Sequence, residues 1–170
     1  MNEKIVFSEQ QHFKQWWLWL LLLGLNAIFV YGIYQQIILK KPFGTNPASD
    51  TGLYIGFGIL FFLTILFRFI KLQTDIKNDG VYVRFFPIQI TYRKYTWDKL
   101  NKIYVRQYNP ITEYGGWGMR YGFFGKGKAL NVSGNIGLQL TMIDNSRILI
   151  GTNKPELLKE VLTILKQYKP

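Results

Sequence analysis

The sequence has no cysteine, and that one absence excludes disulfides, thiolate nucleophiles, iron–sulfur clusters and cysteine zinc sites. Histidine is nearly absent too, with His12 standing alone. Only ten Asp and Glu residues occur, and they would have to supply almost every ligand of a metal site. No metal site and no cofactor is expected. The scarcity of acids also sets the charge. Lys and Arg number 21 and the formal net charge is +11; residues 72–170, with 15 Lys/Arg and 7 Asp/Glu, carry +8 of it. Such an excess implies an anionic partner, or else the Lys/Arg bias that cytoplasmic parts of membrane proteins carry regardless of partner. Nucleic acid is not expected. It would need a denser basic face with exposed stacking rings, and the aromatics here alternate as core residues do.

Charge is missing altogether from residues 15–39, QWWLWLLLLGLNAIFVYGIYQQIIL. A helix needs roughly 20 apolar residues to cross the hydrocarbon of a bilayer. Trp16, Trp17 and Trp19 sit at one end and Tyr31 and Tyr34 toward the other, as rings with one polar atom do at headgroup level. A second uncharged run, residues 51–67, ends at Arg68, whose long side chain can snorkel to the headgroups. A stretch such as LWLLLLGL has no polar face to show to water. The first run exceeds a signal-peptide core of ~7–15 residues, and no A-x-A-like cleavage site follows it. The expected organisation is a cytoplasmic segment 1–14, transmembrane helix 15–39, loop 40–51, transmembrane helix 52–71 and a β domain 72–170. Arg68, Lys71 and Lys77 follow the second helix, so both termini are expected in the cytoplasm of a two-helix cell-membrane protein. Gly56 and Gly58 offer a close approach between the helices, but glycine is common in membrane helices and that commonness is the favoured account of them.

From residue 72 the pattern changes to short alternating runs separated by turn residues. Strands are expected at 72–77, 81–85, 88–92, 103–106, 119–124, 130–133, 136–143 and 147–151, with turns at Asn78-Asp79-Gly80 and Asp144-Asn145-Ser146. A helix over about 154–168 closes the domain. Thr152 or Asn153 caps it, Pro155 and Glu156 suit its first turn, and Leu157, Leu158, Val161, Leu162 and Leu165 form its apolar stripe.

Seven or so antiparallel strands followed by one amphipathic helix resembles the order of a pleckstrin-homology-like (PH-like) barrel or sandwich, and the fold class this implies is α+β with an N-terminal transmembrane hairpin. The stretches YNPITEYGGWGMR (108–120), NVSGNIGLQL (131–140) and ILIGTNKPEL (148–157) resemble a family of small uncharacterised bacterial membrane proteins with two transmembrane helices and a PH-like domain. The resemblance implies a fold and a location but no activity and no lipid specificity.

Eight glycines fall between Gly115 and Gly137. Residues 122–128, GFFGKGK, fit a phosphate-loop spacing, but Ala129 stands where Ser or Thr must hold magnesium, and a strand is expected where the loop needs a helix. The glycines are expected in turns and bulges instead. Asn131-Val132-Ser133 fits the glycosylation pattern, which a cytoplasmic strand never presents to that enzyme. Trp117, Arg120, Lys126 and Lys128 are the candidate contacts for anionic headgroups or a partner, with burial of Trp117 and Phe123 in the core as the competing role. No nucleophile, base and orienter can be assembled, because Ser133, Asp98, Glu113 and Asp144 are scattered. The expected function is therefore a non-catalytic, membrane-anchored binding or scaffold module. A structural subunit of a membrane-protein complex is the alternative. An enzyme acting on lipid is the weakest reading, for want of an acid–base pair.

Overall fold

The computed structural model describes residues 5–170, apart from the side chain of Phe124. The chain forms two compact units. One is residues 14–69; the other joins the N-terminal residues to 70–170.

The first unit is a helical hairpin. Helix α1 (Trp16–Ile33) continues as a π-helical turn (Tyr34–Ile38), and α2 spans Asp50–Phe69. Both are long and apolar enough to cross a membrane, with mean hydropathy 1.8 and 1.9. Their surfaces are apolar nearly all round; Leu20, Leu23, Ile28, Ile59 and Phe62 are all exposed. Polar groups lie between the helices instead. Asn26 Nδ2 donates to Thr64 Oγ1 across the pair (2.8 Å) and to the Leu22 carbonyl (2.7 Å). At the loop end, Gln36 Nε2 donates to Asp50 Oδ1 (2.7 Å) and the Ala48 carbonyl (2.8 Å). Gly56 lies against the Phe29 ring, where a Cβ would approach to 2.7 Å, and Gly58 faces open space.

The second unit is built from two sheets. Strands β1 (Ile5–His12), β2 (Lys71–Lys77), β3 (Gly80–Phe86) and β4 (Arg93–Thr96) form an antiparallel meander. β1 is the first finding that alternation within 72–170 could not supply. It precedes the hairpin in sequence, yet pairs with β2 from Ile5↔Lys77 to His12↔Lys71. Its inward residues are Phe7, Glu9 and Gln11, all buried. Glu9 accepts from Thr152 Oγ1 (2.6 Å) and the Asn153 amide (2.8 Å), and Gln11 Nε2 donates to the Gly151 carbonyl (2.7 Å).

The strand expected at 88–92 does not form. Pro87 has no N–H for the ladder, and a turn closed by the Gln89 amide on the Phe85 carbonyl (2.8 Å) leads the chain away. Ile88 and Ile90 are 56% and 72% exposed, so their two-residue spacing reflects no buried face.

Strands β5 (Leu100–Gln107), β8 (Ile136–Met142) and β9 (Arg147–Gly151) begin the second sheet as neighbours, in antiparallel pairs. Between β5 and β8 the chain makes an excursion, residues 108–135, whose ends close where the Tyr108 amide meets the Asn135 carbonyl at 2.8 Å. The excursion contains α3 (Pro110–Tyr114) and strands β6 (Gly118–Tyr121) and β7 (Lys128–Asn131). It returns beyond β9, giving the order β5-β8-β9-β7-β6. β7 therefore runs parallel to β9, against the expectation of a wholly antiparallel set. No ladder joins the two sheets among the described residues, so the unit is α+β with two sheets and not a closed barrel.

Leu138 and Leu140 of β8 and Ile148 and Ile150 of β9 are buried, as are Leu158, Val161 and Leu162 of the last helix, α4 (Pro155–Ile164). That helix contacts β1, β5 and β8. It is shorter than the expected 154–168 because Lys166 turns left-handed (φ 56°), and the amides of Gln167 and Tyr168 bond back to Leu162. Lys154 is its N-cap. Thr152 and Asn153, expected to cap it, are held by Glu9 instead, while Thr152 Oγ1 accepts from the Lys154 amide at 3.0 Å. Past α4 the chain returns to bond Lys169 to Ile103 on the open edge of β5.

Candidate functional site

β8 alternates between two environments. Leu138 and Leu140 face the core, whereas Gln139 and Thr141 point the other way and are also buried, at 3% and 8% exposure. On that second face the register lines up Lys102 of β5 with Thr141, and Thr141 with Arg147 of β9; Tyr104 lies opposite Gln139. Lys102, Tyr104 and Arg106 alternate along β5, so all three share the face. Lys126, from the excursion, joins them around a cavity of about 420 Å³, with Asn145 at its rim.

The excursion makes one wall rigid. Asn109 Oδ1 caps α3, accepting from the amides of Ile111 and Thr112 (both 3.1 Å), and Pro110 starts the helix. Glu113 reaches back to the Asn109 amide (2.9 Å) and takes a two-pronged bond from Arg106, 2.8 Å at Nη2 and 3.2 Å at Nη1. Arg106 Nε donates to Gln139 (3.0 Å), and its Nη2 also reaches the Tyr114 hydroxyl (3.2 Å). Burial works against the charge on Arg106, but the hydrogen-bonded Glu113 carboxylate outweighs it and raises the guanidinium pKa above its ordinary value. The same bonds hold the Glu113 carboxyl below the usual range, against the opposing cost of burial. Tyr114 is buried and its pKa is raised, chiefly by desolvation. It packs edge-on to Tyr108, ring centroids 6.0 Å apart, over Ala129 and Leu149. Gly115 ends α3 in the left-handed region (φ 70°), where other residues are strained. Gly127 crosses β9 so closely that a Cβ would meet the Arg147 carbonyl oxygen at 2.2 Å. Residues 106–114 thus bind β5, α3 and β8 into one network, with Arg106 and Glu113 paired at its centre.

The four candidate residues do not converge. Trp117 is half-buried and its Nε1 donates to the Gly134 carbonyl (3.1 Å). Arg120 is exposed on the edge strand β6, with Nε on the Trp117 carbonyl (3.1 Å). Lys128 lies over the Tyr121 ring, 5.1 Å from its centroid. Lys126 alone lines the cavity, 4.0 Å from Glu113. Phe123, expected as a core plug in the competing role, is 52% exposed. Asn131 is fully buried, donating to the Tyr108 hydroxyl (3.0 Å) and accepting from the Gly118 amide (2.9 Å); its place in a glycosylation pattern is incidental to a core role.

Lys102, Arg147, Gln139 and Glu113 were not singled out from sequence. The available signal was Gln and Thr at alternate positions of GLQLTM, where a strand covered on both faces would read apolar throughout. What the site offers chemically is cationic and amide donors around a polar floor. Among the described residues, no group of three or more His, Cys, Asp or Glu converges to hold a metal ion. No curated protein matches the chain. Residues 2–166 match a family described as a family of unknown function (DUF6141), and the chain belongs to that family.

Proposed function

We propose that the chain is a membrane-anchored, non-catalytic binding or scaffold module. Its two apolar helices cross the cell membrane, and its basic β unit, a PH-like domain, holds anionic headgroups or a membrane-protein partner at the cytoplasmic surface. The observation that carries this reading is the insertion of the hairpin between two paired strands. His12 of β1 is partnered with Lys71 of β2, so the chain leaves the sheet for α1 and returns from α2 to the neighbouring strand. Strands about 4.8 Å apart keep both ends on one side of a bilayer whose core is about 30 Å thick, which demands an even number of crossings. The insertion also argues against a cleaved leader, since excising α1 would take β1 and its buried Phe7, Glu9 and Gln11 with it.

Orientation follows the placement of Arg68, Lys71 and Lys77 after the second helix, against Lys40 and Lys41 beside Asp50 in the loop. The PH-like part of the reading rests on strand order. Without the excursion, seven strands remain in succession and α4 follows, contacting strands of both sheets. The non-catalytic part rests on the pairing of Glu113 with Arg106, which holds that carboxylate ionised and engaged and so not poised as an acid or base.

A reporter fused after Pro170 is expected to be active only on the cytoplasmic side; activity only outside overturns the topology. A photo-crosslinking residue replacing Arg120 or Lys128 in the full chain in cells is expected to give lipid or protein adducts. A chain retained in alkali-washed membranes yet free of adducts at both positions would exclude binding through the edge that Arg120 and Lys128 occupy.

A further inference from the structure

We infer that the outer face of the five-stranded sheet, between Lys102, Lys126 and Arg147, is a binding site for a phosphate-bearing group. This deepens the reading of the β unit as an anion-binding module and rests on it. The argument starts from charge. Four cations surround the cavity, and one carboxylate, Glu113, stands among them. Arg106 engages that carboxylate with both prongs, at 2.8 and 3.2 Å, while Lys126 reaches it only at 4.0 Å. Among the described residues, Lys102 and Arg147 have no ion-pair partner. Four cations against one carboxylate leave a net excess of three positive charges on one concave surface. A single carboxylate would leave two of them unmatched, whereas a phosphate monoester carries about −1.5 to −2 at neutral pH and a diphosphate more.

Shape and donors point the same way. A cavity of about 420 Å³ falls in the range that holds a small ligand, roughly 300–1,000 Å³, and is too confined for a folded partner. Its floor is buried and polar, Gln139 and Thr141, where burial alone would favour apolar side chains. Lys102 and Arg147 flank Thr141 on neighbouring strands, so their heads bracket a group resting on that hydroxyl. Arg147 brings a planar fork suited to two phosphate oxygens, and Lys102 a compact point charge. Asn145, held left-handed (φ 63°) in the β8–β9 turn, places an amide at the rim. The excursion's wall is fixed by the Arg106–Glu113 clamp and the Gly127 crossing, so the site is formed before any ligand arrives.

The shared chemistry is phosphate, and its source is either a lipid headgroup or a soluble phosphorylated compound. The full-length chain in nanodiscs of neutral phosphatidylcholine is titrated with pyrophosphate by calorimetry. Wild type is expected to bind. Lys102→Ala with Arg147→Ala, two exposed positions, is expected to weaken binding at least about tenfold, the equivalent of one charge-assisted hydrogen bond. Lys154→Ala with Lys159→Ala, an equal loss of charge at α4, is expected to leave it unchanged. Discs containing phosphatidic acid separate the sources. A fall in pyrophosphate affinity there means the headgroup occupies the site, and an unchanged affinity means a soluble ligand does. The proposal is overturned if pyrophosphate does not bind in neutral discs, if the control pair weakens it as much as the site pair, or if only an acidic peptide binds. Such a failure leaves the anchored-module reading standing, because the reporter and the cross-links at Arg120 and Lys128 do not use this cavity.

Discussion

The helical hairpin and the β unit are inverses of each other. In the hairpin, apolar side chains such as Leu20 and Phe62 face outward, and the polar Asn26 and Thr64 meet inside. In the β unit, Phe7, Leu138 and Leu162 are inside, and Lys and Arg side chains lie outside. On the proposed placement of the hairpin in a membrane, the same physical rule produces both, since each surface then matches its solvent. The largest expected effect lies at the seam the inversion creates in the sequence. Phe7 precedes the hairpin but is 3% exposed within the β unit. Phe7→Ala is expected to destabilise that unit by about 3–5 kcal/mol, read as lost hydrogen-exchange protection in β2 and β9 at a fixed urea concentration. Unchanged protection would mean that β1 contributes nothing there. The comparison itself is broken or kept by one substitution made twice. Ile59→Lys on the outward face of α2 is expected to raise the cost of membrane insertion by about 2.5–3.5 kcal/mol. Ile90→Lys in the β unit, also on an exposed side chain, is expected to change stability by no more than about 0.5 kcal/mol. Equal, small effects at both positions would mean that water solvates the hairpin too.

How much of this was legible depended on whether a local period reported a local contact. The two apolar helices were readable because one rule, an uncharged apolar side chain, holds at nearly every position of each run. The paired strands β2–β3 and β8–β9 were readable from two-residue alternation joined by Asp79-Gly80 and Asp144-Asn145-Ser146. β1 was not, because its partner lies about 65 residues away across the hairpin, and its inward Glu9 and Gln11 spoil the apolar alternation. Residues 88–92 erred in the opposite direction, alternating without a face to bury. The site was hidden for a related reason. Trp117, Arg120, Lys126 and Lys128 cluster in sequence, but the excursion scatters them. Lys102 and Arg147 are 45 positions apart in the chain, and only the β5–β8–β9 register brings them to one face.

Within the β unit, one carboxylate behaves as the hairpin's polar groups do, satisfied inside a structure rather than by water. Glu113 is expected to contribute about 1–2 kcal/mol through Arg106 and the Asn109 amide, discounted from a buried pair because water still reaches it. Its folded pKa is depressed, chiefly by the Arg106 hydrogen bonds. The contribution is therefore complete above the ordinary carboxylate value, about 4.3, and is lost as pH falls through the lower folded value. Glu113→Gln is expected to lower the urea midpoint at pH 7 and to converge with wild type in acid, below the folded pKa. A gap that stays constant from pH 7 into acid would mean that the pair's charge plays no part.

The smallest expected effect tests the hairpin's interior. Asn26 donates to Thr64 from the middle of an otherwise apolar pair of helices, and on the membrane reading no water competes for the bond there. Intuition from water-free surroundings would make it strong, but an unfolded helix in lipid also finds partners for its amide, here the Leu22 carbonyl four residues back. Thr64 likewise bonds the Leu60 carbonyl. A double-mutant cycle of Asn26→Leu and Thr64→Val, read from hairpin unfolding in bicelles, is expected to give a coupling of about 0.6 kcal/mol. Gly56→Leu, which drives a side chain into the Phe29 ring, should disturb the pair more than either polar change, because the helices are held by close packing and the Asn26 bond mainly fixes their register. A coupling several times larger, with Gly56→Leu tolerated, would reverse that order and make the polar contact the principal tie.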